Sequence, residues 1–279
     1  MRIQHKTTAE KAGKSAHRDG GISFHYLLTG EDNAKDNFVL ALVETTDEYS
    51  TPRHHHNFEQ VRLMLDGDFE YEPGHVQRQG SVGYFSEGTY YTPKGLGRSV
   101  ALILQVGGAT GYGFMSHNKL RKGSAKLAAT GKFEDGIYTW FDEQGKKHNA
   151  DGYAAAWEHV MGAPVVYPKP RYERPVIMFP ENFQYLQDAD TTGLAVKELG
   201  RFNERCLQIR QVRMDAGSDY GVDCSQQSQL FYVLSGSGNV EQQPWQAESA
   251  FQGEKGESIS IHADEPTELF VIGLPVFDN

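Results

Sequence analysis

Arg53-His-His-His-Asn-Phe-Glu-Gln-Val-Arg-Leu-Met-Leu-Asp-Gly67 decides how this chain is read. In extended backbone, side chains alternate between two faces, so His54, His56, Gln60, Arg62 and Met64 share one face while His55 and Glu59 point to the other. Two imidazoles two residues apart on a strand, with an amide oxygen four residues further on, can converge on one divalent ion from a rigid surface. The histidine run is internal and leads straight into an apolar strand, which sets it apart from an expression tag. Spacing alone leaves a second reading open, in which the imidazoles are hydrogen-bonded polar residues at a barrel mouth.

A second stretch follows at Gly80-Ser-Val-Gly-Tyr-Phe-Ser-Glu-Gly-Thr-Tyr-Tyr-Thr-Pro93. It reads as a glycine turn, a short apolar strand, a turn at Gly88 and then Tyr91, a position able to face the first stretch. Together the pair resembles the cupin family. The first cupin motif has two His separated by one residue, an acid or amide four residues after the second, and a glycine seven residues beyond. His54, His56, Gln60 and Gly67 fit it at every spacing. Gly80, Gly88 and Tyr91 fit the second motif, with Ser86 where proline is usual and Tyr91 where a third His is expected.

The departures shape the chemistry that the resemblance implies. Gln60 stands where Glu is common, so His54, His56 and Gln60 are all neutral donors and an ion held by them keeps its full positive charge; some cupins do carry Gln here. Tyr91 has three open roles: ligand, hydrogen-bonding neighbour, or packing. A phenol ionises near pH 10 unless a metal lowers that value. Glu59 becomes a ligand only if a bulge reverses the local parity. Arg62 shares the His54 face, where its forked guanidinium can hold a substrate carboxylate or form an ion pair at the barrel rim. Tyr84 and Tyr90 are candidates to line the cavity or to fill the core.

The chain repeats itself. Gln60–Gly67 aligns with Gln229-Leu-Phe-Tyr-Val-Leu-Ser-Gly236, which keeps the apolar strand and the terminal glycine. In this register Asp223 replaces His54, Ser225 replaces His56, and Gln229 matches Gln60, so the second half keeps the strand and loses the imidazoles. Gly256–Thr267 is read as the counterpart of the Gly80 stretch, with Asp264 for Gly88 and Thr267 for Tyr91. Leu269–Leu274 parallels Val100–Val106, and Asn203–Arg213 parallels Phe38–Thr45. The expected fold class is all-β, with two cupin (jelly-roll) barrels and a partly helical connection. Expected domains are 1–110, an N-terminal barrel with the metal site; 111–190, the connection; and 191–279, a degenerate C-terminal barrel.

Short strands at Ile22–Leu28, Phe38–Thr45, Phe69–Tyr71 and Val100–Val106, broken by Gly and Pro turns, suit an antiparallel barrel. Gly107–Gly113 lacks the spacing of a dinucleotide loop and reads as a flexible crossing segment. Helices are expected at His117–Ala129 and Asp151–Val160, the second capped by Asp151 and carrying a stripe of Tyr153, Ala156, Trp157 and Val160. Pro164–Pro175 reads as extended and Pro180–Leu186 as one helical turn. This aromatic connection is expected to cover a barrel or build a subunit interface. His117, His148 and His159 have no partners at ligand spacing and read as surface or structural residues.

With 279 residues and a net charge of −10, the chain can bury a substantial core, and its acidity argues against nucleic-acid or anionic-membrane partners. A basic arm, Lys6 to Arg18 with Lys11 and Lys14 between, reads as solvated or partly disordered. It lacks the apolar core of a secretory signal, and no stretch approaches the roughly 20 apolar residues of a membrane span. Cys206 and Cys224 make no disulfide framework, in keeping with a reducing compartment. A cytoplasmic homodimer is the expectation.

The resemblance implies one divalent metal (Fe, Mn, Ni or Zn) on His54, His56, Gln60 and Tyr91, with Arg62 and Tyr91 as catalytic candidates. A small oxygenated molecule is the implied substrate, with dioxygenase chemistry ahead of isomerisation. The alternative is a non-catalytic small-molecule binding or sensing bicupin whose metal is structural or absent.

Overall fold

The computed structural model describes residues 2–12, 20–112 and 114–277. They form two compact units, one of Met1–Glu10, His25–Thr29 and Met178–Asn279, the other of Lys11–Phe24 and Gly30–Ile177. The expected connection, 111–190, therefore clusters up to Ile177 with the N-terminal barrel.

In the N-terminal barrel, Glu59–Asp66 is flanked by Val82–Phe85 on one side and Ser99–Val106 on the other, and Ser99–Val106 in turn pairs with Phe38–Thr45. All these pairs are antiparallel, within one seven-stranded sheet. Phe69–Glu72, His75–Gln77 and Lys94–Gly95 form a smaller, three-stranded sheet. The C-terminal barrel repeats the scheme: Gln229–Ser235 lies between Ser249–Gly253 and Thr267–Gly273, and Gln208–Met214 pairs with the latter.

This register corrects one part of the repeat. Arg62 is paired with Gly83 and Phe231 with Phe251, so the counterpart of the Gly80 stretch starts at Glu248. Gly88 then corresponds to Gly256 and Tyr91 to Ile259. The Asp264 and Thr267 assignments fall one strand too late, because both stretches carry the same glycine-then-apolar texture.

Ahead of the basic arm the chain is anchored, while Glu10–Lys11 within the arm is exposed. Arg2–His5 is a strand paired antiparallel with Ser249–Gln252, Ile3 packs on the C-terminal core, and Lys6 Nζ lies 2.6 Å from Glu248 Oε1. An open sheet edge with unsatisfied N–H and C=O groups gains from such a partner. Lys14 and Arg18 lie outside the described residues.

Helix α1 spans His117–Leu127 and helix α2 Gly152–Met161, with Asp151 accepting from Ala154 N at 2.9 Å as the cap. Tyr153, Ala156 and Trp157 are buried as the stripe requires, whereas Val160, its fourth member, is exposed. Between the helices lies an unexpected three-stranded sheet, Gly131–Glu134, Ile137–Phe141 and Lys147–Asp151. Pro180–Asn182 is a single 3-10 turn.

Candidate metal centre and adjoining cavity

His54 and Tyr91 exchange two backbone hydrogen bonds, both of 3.0 Å, which ties the first motif to the second. The rings then gather. His54 and His56 sit with centroids 5.0 Å apart, His54 and Tyr91 4.5 Å apart, and Tyr91 Oη is 2.8 Å from His56 Nε2. His54 Nδ1 is 2.8 Å from Pro52 O and 3.1 Å from Thr51 Oγ1, so bonding to the carbonyl places the proton on Nδ1 and leaves Nε2 as the lone-pair nitrogen. Metal-bound imidazoles are commonly oriented by such a second bond. His56 and Tyr91 are each 5% exposed.

Tyr91 also lines a small pocket in the barrel, with about 30 Å³ open to a water molecule, together with Gln60, Arg62, Met64, Phe69, Gln105 and others. Its wall follows from register. Gln60 is opposite Gln105, Arg62 opposite Ile103, and Thr45 opposite Ser99, so one face of three strands points inward. Arg62 is only 5% exposed and its guanidinium carbon lies 4.4 Å from the Phe69 ring centroid and 5.1 Å from that of Phe85. Two aromatic faces thus accommodate a buried cation. His54 and His56 adjoin this wall through Tyr91; they do not themselves line the cavity.

Among the described residues, no three His, Cys, Asp or Glu side chains group as a metal site. The donors that do gather are two imidazoles and a phenol, with the Gln60 amide on the neighbouring wall. This set fits a divalent ion of the kind that imidazole ligands hold, completed by neutral oxygen. One condition attaches to Gln60. Its Oε1 accepts from Gln105 Nε2 at 3.1 Å, and its buried Nε2 has no hydrogen-bond partner among the described residues. An N–H cannot ligate a cation, so ligation by Gln60 requires its amide to turn over.

The opposite face of the same strand carries a second charged group. Glu59 and Glu87, both with fully buried side chains, share Arg171 Nη1 at 3.3 and 3.0 Å. Glu59 is therefore an outward ion-pair partner, and the bulge that ligation demands lies elsewhere, between Val100 and Ala101 on the adjoining pairing. Thr110 donates its hydroxyl to Glu87, and a Cβ at Gly108 would collide with that carboxyl group. Gly107–Gly113 is thus used to close over Glu87, which corrects its reading as a simple crossing segment; Gly113 lies outside the described residues.

Tyr84 and Tyr90 leave the cavity list. Tyr84 is opposite Val61, which places it on the outer face with Glu59, and burial pushes its phenol well above the ordinary range. Tyr90 stacks on His55 at 4.1 Å, Tyr167 covers the other His55 face at 3.8 Å, and burial holds the His55 imidazole below its usual pKa. His117 is more than a surface residue: its Nε2 lies 2.8 Å from Gln105 Oε1. Gln105, His117 and Arg171 were not among the sequence candidates. Only Gln105, a lone amide within the apolar run Val100–Val106, gave a signal.

No family model and no curated protein matches the chain. Solved structures do. A proposed dioxygenase from Nostoc punctiforme superposes with a TM-score of 0.64 at 10% identity, covering 100% of this chain and 87% of that one. The chain has the two-barrel cupin fold. Pirin from Escherichia coli in complex with nickel(II) gives 0.55 at 11% identity over 99% of both chains. Oxalate decarboxylase from Bacillus subtilis, with Mn(II) centres, gives 0.57 at 12% identity over 99% of this chain and 78% of that one.

In the C-terminal barrel the corresponding interior is apolar. Phe231, Val233, Phe251, Leu269 and Val271 belong to one core cluster with Cys224, and Phe231 and Phe251 stack 4.9 Å apart. Gln229, the counterpart of Gln60, has both amide ends engaged, by the Arg210 guanidinium and by Asp223 O. Cys206 and Cys224 are free thiols.

Proposed function

We propose that this bicupin is a metal-dependent enzyme for a small oxygenated, anionic substrate, with dioxygenase chemistry favoured over isomerisation. The observation that carries the reading is the junction at Tyr91, which joins the His54–His56 pair to a pocket lined by a buried arginine. His54, His56 and Tyr91, with Gln60 once its oxygen faces inward, would hold one Fe, Mn, Ni or Zn ion. The ion supplies Lewis acidity and open coordination positions. Arg62 binds the substrate carboxylate, its charge strengthened by a site that excludes water. With the ion held through His56 Nδ1, the Nε2–H of that ring would donate to Tyr91 Oη, 2.8 Å away. Similarity to a proposed dioxygenase and to nickel- and manganese-containing cupins supports the reading.

A non-catalytic binding protein is the second reading. It is favoured by the donor set, which contains no carboxylate. Elemental mass spectrometry on untagged protein, wild type against His54→Ala/His56→Ala, tests the metal; about one ion per chain, lost in the double variant, is expected. Oxygen uptake with iron restored then separates the dioxygenase from both the isomerase and the binding protein. Absence of metal after reconstitution with each candidate ion would sink the enzyme reading. A homodimer in the cytoplasm remains part of the proposal, and no helix among the described residues is long and apolar enough to cross a membrane.

A further inference from the structure

Helix α1 reaches the cavity wall through two buried amides. His117 Nε2 lies 2.8 Å from Gln105 Oε1, Gln105 Nε2 donates to Gln60 Oε1 at 3.1 Å, and Gln60 Nε2 is buried with no hydrogen-bond partner among the described residues. Gln60 and Gln105 are 4% and 3% exposed, and both line the cavity. Phe24 and Phe114 pack edge-on against the His117 ring at 5.0 and 5.8 Å, which holds it against Gln105.

Each amide has one donor end and one acceptor end, and a neutral imidazole nitrogen is either one or the other. The series therefore has a direction. With the proton on His117 Nε2, the ring donates to Gln105, Gln105 donates to Gln60, and Gln60 presents N–H to the cavity. With the proton on Nδ1, every bond reverses: Gln105 donates to the ring, Gln60 donates to Gln105, and Gln60 presents its carbonyl oxygen. Turning one amide alone would oppose two N–H groups or two oxygens, so the members turn together.

We infer that His117, acting through Gln105, is a positioning residue that sets which end of the Gln60 amide faces the cavity. One direction gives Arg62 a second donor for a carboxylate; the other gives a neutral oxygen for a divalent ion. Gln229 lacks this choice because both of its amide ends are occupied. The inference about the ion rests on the metal reading above, whereas the relay itself does not.

The test uses the full chain labelled with ¹⁵N-histidine, with tautomers read from long-range ¹H–¹⁵N spectra. In metal-free protein His117 is expected as the Nε2–H tautomer; Nδ1–H there would overturn the assigned direction. Zinc(II) is then added, and shifts of His54 and His56 report occupancy. With the ion bound, His117 is expected to convert to Nδ1–H, and retention of Nε2–H would overturn the coupling. If His54 and His56 do not shift, the metal reading fails, and the relay is judged on metal-free Gln105→Met. That variant should lose the single His117 tautomer and show a mixture. An unchanged tautomer in Gln105→Met would overturn the relay, and a purely structural role for Gln105 would produce just that.

Discussion

Phe231 occupies in the C-terminal barrel the sheet position that Arg62 holds in the N-terminal one. Arg62 is opposite Ile103 and Gly83; Phe231 is opposite Val271 and Phe251. Beside Gly83 the Phe85 ring and the Gln77 amide take the space a side chain would fill, while in the C-terminal barrel the second phenylalanine fills it with a stacked ring. The exchanges of Arg62 for Phe231 and of Gly83 for Phe251 thus accompany a polar pocket in one barrel and an apolar core in the other.

Removing each residue should therefore have different consequences. Phe231→Ala empties a fully buried position and should cost about 3–5 kcal/mol in thermal or denaturant unfolding. Arg62→Met keeps an apolar stem between Phe69 and Phe85, so it should cost less stability than Phe231→Ala, while affinity for acetate, measured by calorimetry, should fall by roughly ten- to a hundredfold. A large loss of stability in Arg62→Met would make the arginine structural.

Tyr91→Phe keeps the ring against Phe85, at 5.2 Å between centroids, and removes only the hydroxyl bonded to His56. Stability should drop by about 1 kcal/mol. Zinc affinity, measured by competition with a chelating dye, should fall about 10- to 100-fold, the range for losing an orienting partner of a metal ligand. Unchanged affinity would reduce Tyr91 to packing.

Arg171→Met leaves Glu59 and Glu87 buried together without their shared cation. Breaking a buried pair from one side costs about 3–5 kcal/mol, and that loss is expected in the melting curve. Adding Glu59→Gln should recover part of it, because one of the two stranded charges is then gone.

How far the sequence carries can be judged at particular residues. Alternation holds over 59–64, so the inward placement of Gln60, Arg62 and Met64 followed from periodicity, as did the strand Phe38–Thr45. Tyr84 takes the core alternative and not the cavity, because its face is fixed by pairing with Val61, and register between strands is not written in either strand alone. Gly256–Thr267 was matched to the wrong strand for the same reason. The Gly131–Asp151 sheet did leave a signal, Asp135-Gly136 between alternating residues, whose turn has both φ angles positive. Arg171 and His117 left none: each finds its partner across a sequence separation that no local pattern spans.

Cys224 offers a prediction in the degenerate barrel. It is fully buried, and burial first, then the charges of Glu257 and Asp223, push its thiol up to about 11 from 9.0. A thiol kept protonated at neutral pH is a poor nucleophile, so in native protein at pH 8 a disulfide reagent should modify Cys206 and spare Cys224 until denaturant is added. The sign of the linked stability follows. A pKa raised on folding means that the unfolded chain releases the proton more readily, so the contribution is intact below pH 9.0 and declines as pH rises towards about 11. Wild type should lose more stability over that window than Cys224→Ala, which has no thiol to titrate. Equal pH slopes in denaturant titrations of the two proteins would show that Cys224 is not held in its neutral form by the core.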